Sequence, residues 1–331
     1  MKNRRKLLII AAVVFTMLSG GCNGKEEPAE SEIAENTVVI SKEMTDNFTS
    51  EIAYVTLNNE KYAIAEAINA NVEERIASIK TEMQDTAEST EENLPLQFSY
   101  NAYLNIYETE GIISAVLDNG NYSGGAHGYQ WLEAFVGYKD GNEIIGLSEL
   151  MAEDDGVDVV KSIIKSEISA EKEMYFPDAS DYIDEMDIES SFYIDETGRI
   201  IIFFNPYEVA PYAAGVVRFE LDADDIKDII KEEVYAELKK AESNEKPDIR
   251  YNGVGIKLDN SPKMVEENEY YSAEYLPLEE ILEITGLDMK DRKAETKIID
   301  GTEYISFPEL KVLLSDSVVT VVSGESVCIY Y

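Results

Sequence analysis

The hydrophobic and polar positions of the chain follow two periods, and each period predicts one type of element. Apolar residues recur at steps of three and four early in the chain, which predicts one face of a helix: Tyr62, Ala65, Ile68, Val72, Ile76, Ile79 and Met83. The same period predicts a second helix from Val157, Val160, Ile163, Ile164 and Ile168. Asp222 can cap a last helix, whose apolar face would be Ile226, Ile229, Ile230, Val234 and Leu238.

A period of two predicts strands in several other stretches. The clearest is QFSYNAYLNIY, and GIISAVLDN and WLEAFVGY repeat its alternation. VVISKEMTDNFTSEIAYVTLNN predicts one or two strands, SSFYIDETGRIIIFFNPYEV two strands joined at Asp-Glu-Thr-Gly, and AGVVRFELD a third. KDGNEIIG predicts a turn and a short strand, whereas QDTAESTEEN predicts a surface loop. We therefore expect an α+β fold of antiparallel sheets with packed helices.

The polar stretch KKAESNEKP, which ends at Pro247, is the best candidate for a domain boundary. It separates an α+β binding region, residues 37–240, from a small α+β module, residues 248–331. In that module we expect strands near YNGVGIKL and SVVTVVS and two short helices, PLEEILEITG and FPELKVLL. Each helix has a proline next to its first turn.

The N-terminus predicts export. MKNRRK is basic, and the apolar stretch LLIIAAVVFTML is too short to span a membrane, so residues 1–21 are typical of a signal peptide. SGGC resembles a bacterial lipobox, although Ser19 stands where leucine is most common. That resemblance implies a lipidated Cys22, a disordered tether over residues 22–36 and a location on the outer face of the cell membrane. Cleavage by an ordinary peptidase, which leaves Cys22 free, is the alternative.

The charge of the chain narrows the choice of partner. The sequence has 67 acidic and 28 basic residues, a formal net charge of −39, which excludes nucleic acid as a partner. Loss of residues 1–21 would leave 24 basic residues and a charge of −43. A cationic partner is therefore plausible, although the charge also fits a surface that is merely soluble and self-repelling. Besides Cys22 the only cysteine is Cys328, so we expect no intrachain disulfide.

The stretch YSGGAHGYQW holds the only histidine and the only tryptophan of the chain, His127 and Trp131. Its three glycines predict positive φ or close backbone approach. The aromatic residues at its margins could form a recognition surface, or the stretch could be a tight structural turn. His127 lacks a recognisable nucleophile elbow around Ser123 and the ligand set of a zinc site. We therefore expect no catalytic residue, metal or cofactor. The candidate binding residues here are Tyr122, Gly124, Gly125, His127, Tyr129 and Trp131.

Two further stretches could contribute to binding. In NPYEVAPYAAG, Pro206 and Pro211 exclude a central strand and predict a rigid, shaped connection that carries Tyr207 and Tyr212. A functional role and a structural role for this segment are equally open. Residues 173–198 contain nine acidic residues and no lysine or arginine. That segment could receive a cationic protein. It could also bind calcium loosely, as could EDDGVD, but neither stretch meets a calcium-loop spacing. The alternative is a solvated loop.

Together, YSGGAHG and FNPYEVAPYAAG resemble the paired extracellular domains of the anti-sigma-V factor family, RsiV and its relatives, over roughly residues 37–230. The first of the pair also resembles the N-terminal, non-catalytic domain of the peptidoglycan deacetylase PdaC. The resemblance implies a domain that binds lysozyme, a strongly cationic protein. Because the chain departs from that family in having a short signal and no cytosolic sigma-binding segment, the signalling role is not carried over. No deacetylase domain follows either, so that activity is also left out.

The repeated pattern of EYLPLEEILEITGLDMK and EYISFPELKVLL resembles the small module related to the copper amine oxidase N-terminal domain, which implies an accessory role without copper. We therefore expect a cell-surface lipoprotein with a non-catalytic binding domain, for which lysozyme or another cationic wall-directed protein is the candidate partner. The alternative is a protein of the cell envelope that binds or modifies peptidoglycan.

Overall fold

The computed structural model describes residues 7–12, 36–90, 97–268, 271–289, 293–314, 317–321 and 327–331. For residues 7–12, 267–268, 271–272 and 321 only the backbone is described. Cys22 and most of the expected signal and tether lie outside these ranges. Within them, no helix is both long and apolar enough to cross a membrane.

The first part of the chain forms most of the largest sheet. Its elements are β1 (Leu7–Ala12), β2 (Thr37–Met44), β3 (Phe48–Thr56), α1 (Ala65–Ser89), β4 (Phe98–Glu108), β5 (Ile112–Tyr122) and β6 (Tyr129–Tyr138). Each strand pairs with the next, and all these pairs are antiparallel except β3 with β4. That pair is parallel because α1 makes the crossover between them.

Helix α1 confirms the predicted apolar face from Ala65 to Met83 and extends it to Ala87, whereas Tyr62, the first predicted position, lies before the helix. The face, which includes the buried Ile68 and Val72, packs on β3, β4 and β5, and Phe98 of β4 is buried in the same core. The expectation that QDTAESTEEN is a loop was wrong for its first half, because α1 continues to Ser89. Ala87 is buried, and Asn47 donates to its carbonyl oxygen at 2.7 Å, so this last turn is fixed by the loop between β2 and β3.

The middle of the chain folds against the opposite face of β5 and β6. It contains α2 (Gly156–Ala170), α3 (Ala179–Glu185), β7 (Phe192–Ile194), β8 (Ile200–Phe204), β9 (Val217–Leu221), α4 (Ala223–Ile226) and α5 (Glu232–Ala241), with 3-10 turns at Leu147–Leu150, Lys172–Met174 and Tyr212–Ala214. β7, β8 and β9 form an antiparallel sheet. Val116 and Leu132 join its core, whereas Ala115 and Leu117 face α1. β5 is therefore buried on both faces.

Four local expectations for this part differ from the structure. Within the described residues, the short strand expected at KDGNEIIG does not form. Ile145 N donates to Val136 O at 2.9 Å, and the chain then enters the 3-10 turn Leu147–Leu150. The last helix is divided into α4 and α5, because Lys231 donates to Leu150 O at 3.0 Å and so leaves the helical pattern. Asp222 stands at the start of α4 without a capping hydrogen bond from its side chain. The acidic segment 173–198 is not simply a loop, since it contains α3 and β7.

The last part of the chain contributes a four-stranded sheet and extends the first sheet. Its elements are β10 (Ile249–Tyr251), β11 (Val254–Ile256), β12 (Lys263–Asn268), β13 (Tyr271–Pro277), α6 (Leu278–Thr285), β14 (Thr296–Ile299), β15 (Thr302–Ser306), α7 (Phe307–Leu313), β16 (Val318–Val321) and β17 (Val327–Tyr330). β12, β13, β15 and β14 form one antiparallel sheet in that order. β11 pairs in parallel with the end of β4, and β10, β17 and β16 continue from it.

These last strands also cover the face of the large sheet opposite α1. Tyr330 donates to Leu104 O at 2.8 Å, and its ring stacks on Tyr103 with centroids 6.3 Å apart. Arg250 is 2% exposed and reaches Glu196 at 2.5 Å and Ile106 O at 2.9 Å. The expected α+β class with antiparallel sheets and packed helices is confirmed, and three parallel pairings are added to it within the described residues.

Candidate recognition surface

Two loops that are distant in sequence meet at one end of the β5–β6 hairpin. The hairpin loop, residues 123–128, carries His127, and the connection between β8 and β9, residues 205–215, carries Tyr207 and Tyr212. The rings of His127 and Tyr212 stack with centroids 3.9 Å apart and planes 22° from parallel. We call His127, Tyr129, Tyr207 and Tyr212 the aromatic cluster.

The glycines shape the hairpin loop in different ways. Gly124 has φ of +88°, a conformation that residues with a Cβ rarely adopt. A Cβ at Gly128 would lie 2.7 Å from Asn121 O, so a side chain there would clash with backbone. Gly125 meets neither expectation, since its nearest contact would be an ordinary 3.7 Å to His127 O. Tyr122 donates to Gly125 O at 3.0 Å and so closes the loop.

Asn205, which the sequence analysis did not single out, attaches the second loop to β6. Its amide oxygen accepts from Leu132 N at 2.8 Å, and its amide nitrogen donates to Leu132 O at 3.3 Å. β6 pairs only with β5 among the described strands, so this side chain takes the place of a neighbouring strand at its edge. In the sequence, the Asn-Pro pair marks the beginning of this connection, but the contact of Asn205 with Leu132 could not be predicted from local sequence.

Tyr207 is held in an unusual conformation. Its φ is +74°, and its side chain is 53% exposed. Tyr207 N donates to Ala210 O at 3.1 Å, and Glu208 N donates to Asn205 O at 3.1 Å, which fixes this turn. Left-handed backbone at a large residue costs about 1–3 kcal/mol and often coincides with function. The strain presents an aromatic ring to solvent rather than burying it.

Hydrogen bonds orient the histidine within the cluster. Nδ1 of His127 lies 2.8 Å from Gly128 O, and Nε2 lies 3.4 Å from the Tyr207 hydroxyl. Because a carbonyl oxygen only accepts, the neutral ring carries its proton on Nδ1, and Nε2 can accept from Tyr207. The rings of Tyr207 and Tyr212 are 5.8 Å apart, so the three side chains form one continuous stack.

Tyr129 and Trp131 form the side of this surface that faces α1. Their rings stack at 5.6 Å, and Tyr129 donates to Pro206 O at 3.3 Å, which ties β6 to the second loop. The indole of Trp131 donates to Glu133 at 2.9 Å, and Arg75 of α1 also binds Glu133, at 2.5 Å. Trp131 packs against the core under α1. It therefore supports the hairpin more than it faces a partner.

The electrostatic environment of the cluster is acidic. Glu208 accepts from Asn205 N at 2.6 Å, and desolvation raises the pKa of its carboxyl group although the side chain reaches solvent. Desolvation, followed by the nearby Glu208 and Tyr207, raises the pKa of the Tyr129 hydroxyl. The cluster is therefore a polar-tipped aromatic surface beside a carboxylate, which suits contact with a cation or a protein better than proton transfer.

Two observations bear on whether this surface could be a catalytic site or a metal site. Both ring nitrogens of His127 are engaged, by a backbone carbonyl and by a tyrosine hydroxyl. Over the described ranges, no group of three or more His, Cys, Asp or Glu side chains is placed to hold a metal ion. Fold and site together define an α+β protein that presents a shaped aromatic surface from two loops.

Two family models match this chain in tandem. Residues 41–130 match the model described as Deacetylase PdaC, and residues 148–224 match the model described as Protein of unknown function (DUF3298). The chain thus carries a PdaC-like region followed by a DUF3298 region, which confirms the expected resemblance to the paired domains. These regions are those of a cell-envelope protein. The hairpin loop lies in the first match and the loop with Tyr207 and Tyr212 in the second.

Two solved structures of DUF3298 family proteins also match. The protein from Bacteroides fragilis is 15% identical, with 62% of this chain and 96% of that chain covered and a TM-score of 0.42. The protein from Pseudomonas aeruginosa is 13% identical, with 70% of this chain and 94% of that chain covered and a TM-score of 0.44. Among curated proteins, none matches the sequence significantly. The accessory role expected for residues 248–331 stays a prediction, since both family matches end before them.

Proposed function

We propose that this protein is a lipoprotein, anchored through Cys22 to the outer face of the cell membrane, which binds a cationic wall-directed protein such as lysozyme without catalysis. The observation that carries the proposal is the convergence of the two loops into one aromatic stack, in which His127 and Tyr207 are exposed and Tyr212 is half-buried. Exposed tyrosines at a protein surface give a large contact area at low conformational cost.

The rigidity of the stack supports a binding role. Asn205 fixes the second loop to β6, and Tyr129 reaches the same loop through Pro206 O. A surface that is ordered before binding loses less entropy when a partner docks. The strained backbone of Tyr207 fits this role, because a purely structural turn gains nothing from exposing that ring.

The charge of the chain supports a cationic partner. After loss of residues 1–21 the chain has a formal charge of −43, which attracts a basic protein over a distance of about one Debye length, and the attraction weakens as salt is added. Charge of this kind raises the association rate, whereas the aromatic contacts would determine how slowly the complex dissociates. A specific complex should therefore lose affinity with salt without disappearing.

Calorimetric titration of the purified full chain with lysozyme, at low and at physiological salt, tests the proposal. We expect saturable one-to-one binding that weakens with salt and persists at physiological salt. Weak heat from many sites that vanishes at physiological salt would show only that an acidic protein met a basic one. An affinity that is indifferent to salt would also count against electrostatic capture.

Binding of the wall glycan is the second candidate, favoured by the match of residues 41–130 to a family model that is named for a deacetylase. A flat stack such as His127 on Tyr212 can also receive a sugar ring. This function predicts that insoluble peptidoglycan pulls down the full chain in the absence of any soluble partner. If the protein modified the glycan, turnover on purified peptidoglycan would be lost in His127→Ala; under our proposal there is no turnover to lose.

A further inference from the structure

A groove of about 480 Å³ lies beside the loop that carries Tyr207 and Tyr212. One wall comes from the end of α2 and the turn after it, with Glu167, Glu171, Met174 and Tyr175. The other wall is formed mainly by β9 and the residues before it, including Phe219. Ala210 and Ala214 of the loop also line it, so the groove and the aromatic cluster share one segment of chain.

Apolar and polar side chains share the lining of the groove about equally, and the apolar part includes Tyr175. Tyr175 stacks on the buried Phe219, with ring centroids 6.1 Å apart and planes 19° from parallel. Met174 is 58% exposed, which leaves an unbranched, polarisable side chain at the mouth. This lining fits an extended aliphatic chain or a flat cation that lies against the tyrosine ring.

The rim of the groove is negative. Glu167 and Glu171 are both exposed, and burial, followed by Asp225 and Glu171, raises the pKa of Glu167. Glu167, Glu171 and Tyr175 all line the groove, and desolvation, followed by Glu171 and Glu167, raises the pKa of the Tyr175 hydroxyl. The C-terminal end of α2 also reaches the groove at Ala170 and adds the negative end of a helix dipole.

One positive side chain lines the same groove. Arg218 donates through Nη1 to Val216 O at 3.4 Å. The two glutamates outnumber it, and the aromatic face of Tyr175 gives a second element of recognition for a planar cation. An arginine fits better than a lysine, because its guanidinium can both stack on a ring and bind two carboxylates.

We propose that this groove receives an arginine side chain of the protein that docks on the aromatic cluster, with the guanidinium between Glu167 and Glu171 and the stem on Met174 and Tyr175. This inference rests on the proposed capture of a cationic protein. The partner then contacts the loop of residues 205–215 at two places, the aromatic stack and the groove.

The first test compares two double variants of the full chain that change the net charge equally. Glu167→Gln with Glu171→Gln removes the carboxylates of the groove, whereas Glu82→Gln with Glu88→Gln removes two exposed carboxylates from α1. At physiological salt we expect the groove variant to bind lysozyme about tenfold more weakly than wild type. The control pair should lose less than about threefold, the effect of net charge alone. Equal losses in the two variants would overturn the assignment.

The second test does not depend on lysozyme. In the full chain labelled with ¹³C at its methionine methyl groups, the Met174 signal, identified with Met174→Leu, should shift when a triarginine peptide is added. The shift should be reduced in the variant that lacks both groove carboxylates. No shift at Met174 would overturn the groove as an arginine site. Failure of wild type to bind lysozyme, with a clear shift at Met174, would instead count against the proposed function and leave the groove supported.

Discussion

Replacement of Arg250 by methionine is expected to destabilise the protein strongly, because this side chain connects three parts of the fold. Arg250 begins the last part of the chain in β10, binds Glu196 of the middle part at 2.5 Å, and donates to Ile106 O of β4 at 2.9 Å. Its guanidinium also lies 3.9 Å from the ring centroid of Tyr107. These contacts are all lost together in Arg250→Met.

The size of the effect follows from burial. Arg250 is 2% exposed and the Glu196 side chain 18% exposed, so removal of the cation leaves a largely desolvated carboxylate. Breaking one partner of a buried pair costs about 3–5 kcal/mol, which corresponds to a fall in Tm of about 4–7 °C for a chain of 331 residues. Burial raises the pKa of Glu196 even though Arg250 acts to lower it. The attraction therefore does not fully offset desolvation, and Arg250→Met with Glu196→Met should recover part of the loss.

Thermal and urea unfolding of the full chain measure these differences. Lys240→Met is the matched control, because it breaks an exposed ion pair with Glu110 and should cost less than about 1 kcal/mol. If the Tm of Arg250→Met lay as close to wild type as that of Lys240→Met, the three parts would not be joined through Arg250. A double variant no more stable than Arg250→Met would refute the argument from desolvation.

Three further predictions concern the loop, the pH dependence and the anchor. Asn205→Ala removes both hydrogen bonds to β6, so we expect the free energy of unfolding to fall by about 1–3 kcal/mol and lysozyme binding to weaken. Unchanged Tm and affinity would contradict this. Burial raises the pKa of four carboxyl groups, so the folded state binds protons more tightly than the unfolded state; they are Glu167, Glu196, Glu208 and Glu274. The free energy of unfolding should therefore fall as pH rises above about 4.5. Tm at about pH 5 should exceed Tm at about pH 8 at constant ionic strength, and the reverse order would refute this argument. Asp224, whose pKa is lowered by Tyr235, acts in the opposite direction, but it is a single exposed group. Cys22→Ser should move the protein out of the detergent phase in phase partitioning, whereas retention in that phase would contradict the lipid anchor.

Local periodicity was enough to predict the elements whose neighbours are close in sequence. The apolar faces of α1 and α2 and the alternation in the first halves of β4 and β6 are present, because each reflects burial of one face of a single element. β5 was predicted as a strand, but it is buried on both faces, which its alternation did not predict. The division of the last helix was not predictable in this way. It depends on hydrogen bonds from Ala152 to Ile229 O and from Lys231 to Leu150 O, whose partners are some eighty residues away in the chain.

The same limit applies to the arrangement of sheets. The pairing of Val254 with Ile106 joins strands on opposite sides of Pro247, and nothing in the local pattern of either strand encodes it. The boundary at Pro247 stays a prediction. The residues of the aromatic cluster could be picked out because glycine, proline and tyrosine are unusual together, whereas Asn205 acquires its role only when β6 lies beside it.

The most direct test of the central claim is the affinity of Tyr207→Ala for lysozyme at physiological salt, measured beside Tyr182→Ala. The two tyrosines are almost equally exposed, at 53% and 52%, but Tyr182 lies on α3, outside the aromatic cluster. We expect Tyr207→Ala to weaken binding at least about tenfold and Tyr182→Ala to leave it within about twofold of wild type. Equal effects of the two substitutions would mean that the aromatic cluster is not the recognition surface.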